Sequence, residues 1–291
     1  FAILSMLLLA ASQAVCQERI DEMRGCGNQT IVKCKDATHT VVCHMSNSLP
    51  YFSIVDENDS LINLVVFPSD SVIRVTDFTM IGSRIFMCGQ FVDSVWFVGS
   101  VPTNGDTVYF TYFRLNNVSR LAKIQHVSSS WLEHLFVVGD NTDGDAVLIE
   151  CCTYPDPLNP IIATKTYTVS LIDTTSSVKY TADDLIVLDN YIIVSTHCIF
   201  SLIPAVADSI YSRLWFIENP LSPNFTISHI NESRVSFSNT PYAPFSHVYL
   251  EKANGTCFYA SGTISELRLR HAAVSYYVEK EHYKTVTLST N

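Results

Sequence analysis

Short apolar runs recur along the whole chain, with turn-forming segments between them. The runs are rich in Val, Ile, Phe, Tyr and Thr, and the segments between them in Gly, Asn, Asp, Ser and Pro. The first group favours strands and the second favours turns. Helical periodicity is scarce, so the pattern predicts an all-β protein. Representative runs cover residues 62–67, 85–88, 108–113, 135–138 and 192–195.

One β-hairpin pattern repeats at long intervals. Residues 77–89 align with 184–196 without a gap, 131–139 align with 81–89, and 255–262 align with 82–89. A third apolar run and a fourth, more polar one follow the hairpin. A unit of roughly 50–60 residues and four strands has the size of a propeller blade.

The repeat therefore predicts a β-propeller of about five four-stranded blades, whether the ring is closed or incomplete. The alternative is a pair of β-sandwiches. We expect a single propeller-like domain over residues 17–291. Its blades are placed approximately at 28–75, 76–126, 127–178, 179–240 and 241–291.

The second blade carries a short motif in its hairpin and third strand. The motif reads Phe86-Met-Cys-Gly89, followed by Trp96-Phe97. In this respect the chain resembles secreted bacterial β-propeller-like repeat proteins of uncharacterised function, over most of residues 72–262. The resemblance implies a propeller fold and export, and it supplies no catalytic residues. The other copies keep only part of the motif.

The first residues suggest an export signal. Residues 1–11 read FAILSMLLLAA, an apolar run of the length found in signal peptides and too short for a membrane span. We expect a signal peptide over residues 1–16 that lacks its start, cleaved after Ala14 or after Cys16. Lipidation of Cys16 is the alternative. The protein is therefore expected in the periplasm, at the cell surface or outside the cell, without a transmembrane span.

Composition narrows the classes of partner. Apolar residues make up 47% of the 291 residues and charged residues 16%, which is typical of a chain with a sizeable core. The net charge of −10 excludes a protein that binds the phosphate backbone through a basic face. We therefore expect no nucleic acid among the partners.

Two acidic residues occupy the same position in different repeats. Asp77 and Asp184 stand at strand starts, and first strands surround the axis of a propeller, so these carboxylates are weak candidates for a catalytic pair. The simpler interpretation is a residue at a turn or strand entry. No known nucleophile, metalloprotease, phosphate-binding or dinucleotide motif occurs. The chain is accordingly expected to lack catalytic activity, although the sequence does not settle the point.

Two further patterns carry weak ligand hypotheses. Asn141, Asp143 and Asp145 alternate in a loop, as Ca²⁺ ligands do, although a solvated hairpin turn explains them equally. Tyr154 and Tyr242 stand beside prolines in predicted loops, where an aromatic ring can stack on a sugar or a peptide. No metal or other cofactor is expected.

Cysteines crowd the region that follows the signal segment. Cys26, Cys34 and Cys43 lie within a short stretch, and an exported protein can form a disulfide there. The sequence does not tell which two would pair.

These features together predict an exported, non-enzymatic β-propeller that binds a ligand or partner through one loop face. The expected partner is a glycan or a protein at the cell surface. Two alternatives are a propeller-type glycan-active hydrolase and a structural segment of a larger surface protein.

Overall fold

The computed structural model describes sixteen stretches of the chain, and all of the regular secondary structure in them is β-strand. The described stretches are 31–34, 39–44, 50–58, 60–66, 72–104, 110–128, 133–153, 161–168, 180–188, 191–200, 209–218, 230–234, 245–252, 257–264, 270–277 and 282–289. The predicted signal peptide, residues 1–16, lies outside them and stays a prediction.

The chain divides into two compact units, and the first holds two sheets. The strands of the first sheet are β1 (Ile31–Cys34), β2 (Thr40–His44), β3 (Tyr51–Val55) and β4 (Leu61–Val66). Those of the second sheet are β5 (Val72–Ile81), β6 (Arg84–Phe91), β7 (Trp96–Pro102) and β8 (Thr111–Leu115).

The second unit holds three sheets. The third sheet contains β9 (Val118–Ser128), β10 (Glu133–Asn141), β11 (Ala146–Thr153) and β12 (Ile161–Thr168). The fourth contains β13 (Thr181–Val187), β14 (Tyr191–Phe200), β15 (Ser209–Glu218) and β16 (Ile230–Arg234). The fifth contains β17 (Phe245–Lys252), β18 (Cys257–Ile264), β19 (Arg270–Tyr277) and β20 (His282–Ser289).

Each sheet is an antiparallel meander in which every strand neighbours the next one in sequence. This up-and-down order is that of a propeller blade and confirms the predicted all-β fold of four-stranded blades. The Greek-key connections typical of β-sandwiches do not occur within the sheets of the described residues. No helix among the described residues has the length and apolar character needed to cross a membrane.

Each unit has its own apolar core between the faces of its sheets. In the first unit, Phe52 of β3 meets Phe78 of β5 edge to face, with ring centroids 5.2 Å apart. In the second unit, Phe136 of β10 and Trp215 of β15 belong to one fully buried cluster. Central strands bury both faces, as Trp96–Pro102 does throughout, which explains why apolar residues outnumber charged ones so strongly.

The first strands of the three sheets of the second unit lie side by side. Strand β13 packs against β9 on one side and against β17 on the other. Polar side chains on these first strands are therefore enclosed by neighbouring sheets, and the candidate site lies among them.

Candidate functional site

One β-bulge recurs in the first strand of three sheets. In the fourth sheet Ala182 pairs with Thr196 and Asp184 with Ser195, so Asp183 has no partner of its own on β14. The second and third sheets show the same shift in register at the same repeat position. A bulge re-aims a side chain and is common beside functional sites. The extra residues are Thr76 in the second sheet, Ala122 in the third and Asp183 in the fourth.

The residue opposite the bulge is glycine in two of these sheets. A Cβ atom on Gly139 would lie 2.1 Å from the carbonyl oxygen of Arg120, and one on Gly89 would lie 2.3 Å from that of Arg74. These backbones approach too closely for any side chain. The fourth sheet has Thr196 instead, whose Oγ1 accepts a hydrogen bond of 2.6 Å from Nε1–H of Trp215.

The bulge of the fourth sheet carries a histidine–carboxylate pair. Nδ1 of His197 on β14 lies 2.7 Å from Oδ1 of Asp183. Only 4% of the Asp183 side chain is exposed, and 11% of that of His197. The second carboxylate oxygen, Oδ2 of Asp183, is buried and has no hydrogen-bond partner within the part of the chain that the structure describes. A buried acceptor without a partner is rare in native structures and needs an explanation.

The corresponding position of the third sheet holds a structural ion pair. Asp140 accepts a hydrogen bond of 2.7 Å from Nε of Arg120 and one of 2.8 Å from the N–H of Ala182 in the next sheet. Arg120 in turn donates to the carbonyl oxygen of Ala182. Both backbone groups of Ala182 are thus held from the third sheet, and this fixes the strand at the residue before the bulge.

The predicted candidate Asp184 joins neighbouring sheets. Its Oδ1 accepts the N–H of Leu185 at 2.8 Å, and Nζ of Lys123 lies 3.5 Å from the same oxygen. Its Oδ2 accepts the N–H of Leu250 in the fifth sheet at 2.8 Å. Two backbone donors and one cation therefore surround this carboxylate, which is 2% exposed as a residue.

The predicted candidate Asp77 is also buried, and it lies in the other compact unit. Its carbonyl oxygen is 3.6 Å from the thiol of Cys88, as the carbonyl oxygen of Asp184 is 3.5 Å from the hydroxyl of Ser195. This repeated contact matches the sequence alignment of the two hairpins. A shared role of the two carboxylates in catalysis stays a prediction.

The predicted calcium ligands form a hairpin turn between β10 and β11. Oδ1 of Asn141 accepts the N–H of Asp145 at 2.8 Å, and the N–H of Asn141 bonds the carbonyl oxygen of Asp145 at 2.9 Å. Gly144 supplies the positive φ of 83° that the turn needs. In the described stretches, no group of three or more His, Cys, Asp or Glu side chains is arranged to hold a metal ion.

The other predicted sites are only partly described. Tyr154, Tyr242 and Cys26 lie outside the described residues. Cys34 ends β1 opposite Thr40, and Cys43 is a free thiol with no exposed surface. Burial, together with the nearby charge of Asp77, raises the pKa of the Cys43 thiol to about 12.

Sequence reasoning missed an aromatic cluster at the end of the second sheet. Tyr112 on β8 meets the ring of Phe91 at 5.0 Å and that of Phe110 at 5.4 Å, and it remains 49% exposed. The guanidinium of Arg114 lies 4.8 Å from the centre of the Phe91 ring, and its NH1 is 2.7 Å from Asp93. The sequence signal that could have indicated this cluster is the alternation of aromatic residues in FTYFRL, residues 110–115.

Two further histidine–carboxylate pairs lie in the third sheet. Nδ1 of His134 is 3.0 Å from Oε1 of Glu150, and His126 contacts Glu133. The side chains of these glutamates are 14% and 38% exposed, against 4% for Asp183. Asp183 is the only one of the three acids with an unsatisfied buried oxygen in the described structure.

The Asp183–His197 arrangement suits proton transfer. A carboxylate bonded to one ring nitrogen fixes the orientation of an imidazole. Imidazole is the side chain most often used as a general acid or base. The neighbouring carboxylates Asp140 and Asp184 are occupied by backbone donors and cations, so they are suited to support the strands.

No family model and no curated protein matches the chain. Solved structures do match. They include a Synechocystis apocarotenoid oxygenase variant, at 10% identity and a TM-score of 0.51 over 87% of this chain and 58% of that one. The extracellular domains 1–2 of Drosophila Semaphorin 1a match at 12% identity and 0.51, over 87% and 54%. Drosophila Plexin A in complex with Semaphorin 1b matches at 10% and 0.51, over 88% and 53%.

The chain therefore spans a little over half the length of the structures it matches. At such low identity the likeness concerns the fold alone. It supports the propeller-like architecture but gives no sequence evidence for a relation to secreted bacterial repeat proteins.

The comparison corrects the predicted function. A non-enzymatic binding propeller was wrong as an expectation, because the matched structures include an oxygenase enzyme. Neither alternative, the glycan-active hydrolase or the structural segment, is retained. The expectation rested on missing contiguous motifs, and a fold of repeated sheets can bring catalytic side chains together from separate strands.

Proposed function

We propose that the protein is an exported propeller enzyme whose acid–base site is the Asp183–His197 pair. His197 takes a proton from a water or hydroxyl group that attacks the substrate, and Asp183 is the positioning residue that orients the ring. One observation carries the proposal. The buried carboxylate of Asp183 uses one oxygen for His197, while its other oxygen has no hydrogen-bond partner among the described residues.

The repeat supports a special role for this pair. The same bulge in the second and third sheets carries Thr76 and Ala122, which cannot orient an imidazole as a carboxylate does. The backbone therefore does not require an acid at this position. A buried carboxylate that the fold does not need is a candidate for function.

Access to the pair is limited but present. The His197 side chain keeps 11% of its surface exposed, so solvent reaches part of it. Partial exclusion of water strengthens the interactions of a charged group with its neighbours. The substrate class follows from the chemistry required, namely a molecule with an electrophilic centre that an activated water or hydroxyl can attack.

Export is the second part of the proposal. It is supported by the apolar N-terminal run FAILSMLLLAA and by the resemblance to secreted bacterial repeat proteins. Outside the cytoplasm the protein would meet glycans and surface proteins. Fusing residues 1–30 to a reporter that is active only after export tests this part, and a reporter that stays inactive would contradict it.

The acid–base site is tested with p-nitrophenyl acetate, an activated ester that an imidazole base hydrolyses. His197→Asn should lower the hydrolysis rate at least tenfold. Removal of a general base typically lowers a rate by about 10²–10⁴-fold, and a smaller loss is expected for a non-natural substrate. Asp183→Asn should lower the rate less, and Asp183→Glu should restore part of it. A residue with a merely structural role would not show this rescue.

The matched control is His134→Asn, which removes an imidazole that also bonds a carboxylate, that of Glu150. This variant should hydrolyse the ester as the unchanged protein does. Urea unfolding of every variant separates loss of fold from loss of chemistry. Equal rates for His197→Asn and His134→Asn, or no hydrolysis above background in the unchanged protein, would overturn the proposal.

A further inference from the structure

The histidine of the proposed acid–base site has a serine opposite it on the next strand. His197 of β14 pairs with Thr181 of β13 on one side and with Ser212 of β15 on the other. Directly opposed residues of antiparallel strands share one face of the sheet, with Cβ atoms about 4.5–5.5 Å apart. The register therefore brings an imidazole and two hydroxyl-bearing residues together across three consecutive strands. We call these three residues the His197 row.

The contact with Asp183 decides which ring nitrogen of His197 can act as a base. Nδ1 of His197 lies 2.7 Å from Oδ1 of Asp183, which belongs to β13. A carboxylate at Nδ1 keeps the proton on that nitrogen, so Nε2 is the basic nitrogen of the neutral ring. The two nitrogens of an imidazole point in nearly opposite directions, and Nε2 therefore points away from Asp183. Of the two hydroxyl-bearing residues, Ser212 is the one on the strand remote from Asp183.

The repeat does not require a serine at this register position. In the second sheet the third-strand residue opposite Gln90 is Trp96, and in the third sheet the one opposite Asp140 is Ala146. Neither of these rows combines an imidazole with a hydroxyl group. The fourth sheet adds both at the bulge that also carries a carboxylate. A nucleophile, a base and a residue that orients the base are the three parts of a serine-based catalytic site.

The His197 row lies at one end of the fourth sheet. Thr181 is the first residue of β13, whereas β14 and β15 remain paired beyond the row, as far as Phe200 and Ser209. The connection between β14 and β15 follows at this end. Catalytic residues are often carried next to such connections, where a substrate can reach them. The partial exposure of the His197 side chain agrees with this position.

We propose that Ser212 is the nucleophile of the acid–base site and that the substrate is an acyl compound such as a carboxylic ester. The inference rests on the proposed function, and it identifies the hydroxyl group from which His197 takes a proton. Serine activated by a histidine base is a common nucleophile, whereas catalytic threonine is typically activated by an N-terminal amine. The chemistry therefore also favours Ser212 over Thr181.

The reaction has two steps. Oγ of Ser212 forms a bond to the carbonyl carbon of the ester, and its proton passes to Nε2 of His197. The bond from this carbon to the leaving oxygen then breaks, and the imidazolium returns the proton to the leaving group. Water attacks the resulting acyl-serine with the same help from His197, which releases the carboxylic acid and regenerates the hydroxyl of Ser212.

p-Nitrophenyl acetate distinguishes a serine nucleophile from an activated water. The unchanged protein should release p-nitrophenol in a burst that approaches one equivalent per chain, because acylation by an activated ester outpaces hydrolysis of the acyl-serine. Mass spectrometry of the quenched protein should locate the acetyl group on Ser212. Ser212→Ala should abolish the burst and lower the hydrolysis rate at least tenfold.

The matched control is Thr181→Val, which removes the other hydroxyl group opposite His197 and should keep both the burst and the rate. Urea unfolding shows that each variant is folded. An acetyl group on a residue other than Ser212, or equal rates for Ser212→Ala and Thr181→Val, would overturn the serine nucleophile.

A double variant tests whether the serine and the histidine act as one unit. His197→Asn combined with Ser212→Ala should hydrolyse the ester about as slowly as either single variant, because each change disables the same step. Losses that multiply in the double variant would contradict the inference. A rate that falls in His197→Asn but not in Ser212→Ala would also overturn it and would leave His197 as a base for water. Unchanged rates in both single variants would overturn the inference and the proposed function together.

Discussion

The second and fourth sheets share one backbone plan and fill it with different chemistry. Both place a bulge in the first strand opposite the second strand. In the second sheet the bulge carries Thr76, which contacts the carbonyl oxygen and the thiol of Cys88 at 3.3 Å. In the fourth it carries Asp183, bonded to His197. The comparison teaches that the repeat supplies a fixed position, and that single substitutions at this position separate structural sheets from a functional one.

The residue opposite the bulge also differs between the sheets. Gly89 and Gly139 have to be glycine, because a carbonyl oxygen lies too close to the place of a Cβ atom. In the fourth sheet the hydroxyl of Thr196 accepts a hydrogen bond from the indole of Trp215. The residue after it is Gln90 in the second sheet, Asp140 in the third and His197 in the fourth. Gln90 makes an exposed amide contact, Asp140 forms an ion pair with Arg120 of its own sheet, and His197 is the candidate base.

The largest effect is expected at the glycine opposite the bulge. Gly139→Ala should lower the free energy of unfolding by about 2–4 kcal/mol, because the added Cβ would overlap the Arg120 carbonyl oxygen and the backbone must shift. Urea unfolding followed by tryptophan fluorescence measures it. Thr196→Ser, at the same repeat position, keeps the hydroxyl that accepts from Trp215; it is the control and should cost less than half as much. An unchanged urea midpoint for Gly139→Ala would contradict this account of the bulge.

The next effect concerns the residue after that glycine. Asp140→Ala leaves Arg120 and the N–H of Ala182 without their acceptor and should destabilise the protein by about 2–3 kcal/mol. Asp140→Asn keeps an acceptor for the N–H and should cost about half of that.

The control is Gln90→Ala in the second sheet. Gln90 makes only an exposed contact of 3.3 Å to the carbonyl oxygen of Ser94, so its removal should cost about 0–0.5 kcal/mol. Equal losses for Asp140→Ala and Gln90→Ala would show that the Arg120–Asp140 ion pair of the third sheet and its hydrogen bond to Ala182 of the fourth add nothing to stability.

Sequence patterns were sufficient for the fold and for the repeat. The alignment of 77–89 with 184–196 needs no gap, and the structure gives the corresponding pairs Asp77–Cys88 and Asp184–Ser195. Periodicity carries this information because strand pairing follows the alternation of apolar residues. Local sequence determines these hairpins, so a single chain is enough to find them.

The candidate site was beyond the reach of the sequence. Asp183 and Asp184 are adjacent, and either could have faced the neighbouring sheet, because a bulge reverses the alternation of side chains. The structure assigns Asp184 to the backbone of Leu250 and Asp183 to His197. Asp184 meets Leu250, 66 residues away, only through the packing of the fourth sheet against the fifth. Asp183 and His197, 14 residues apart, meet across the β13–β14 hairpin, and the bulge decides which of the two acids does so.

A smaller effect is expected at the threonine that replaces glycine in the fourth sheet. Thr196→Val keeps the shape but removes the acceptor of Nε1–H of Trp215, a buried donor, and should cost about 1–2 kcal/mol. Urea unfolding measures the loss. Adding Trp215→Phe removes the unsatisfied donor, so the double variant should lose less than the two single losses added together. Full additivity would mean that the 2.6 Å hydrogen bond does not couple these residues.

The smallest effect is a pH dependence set by the buried thiol of Cys43. Burial and the charge of Asp77 raise the pKa of Cys43 from 9.0 to about 12, so the folded chain keeps this thiol protonated while the unfolded chain ionises it. The stabilisation is complete below pH 9 and declines as the pH rises towards 12, by about 1 kcal/mol between pH 9 and 10.

Urea unfolding at pH 8, 9 and 10 should show this decline, and Cys43→Ala should show a smaller one. Parallel declines in both proteins would mean that other groups cause the loss.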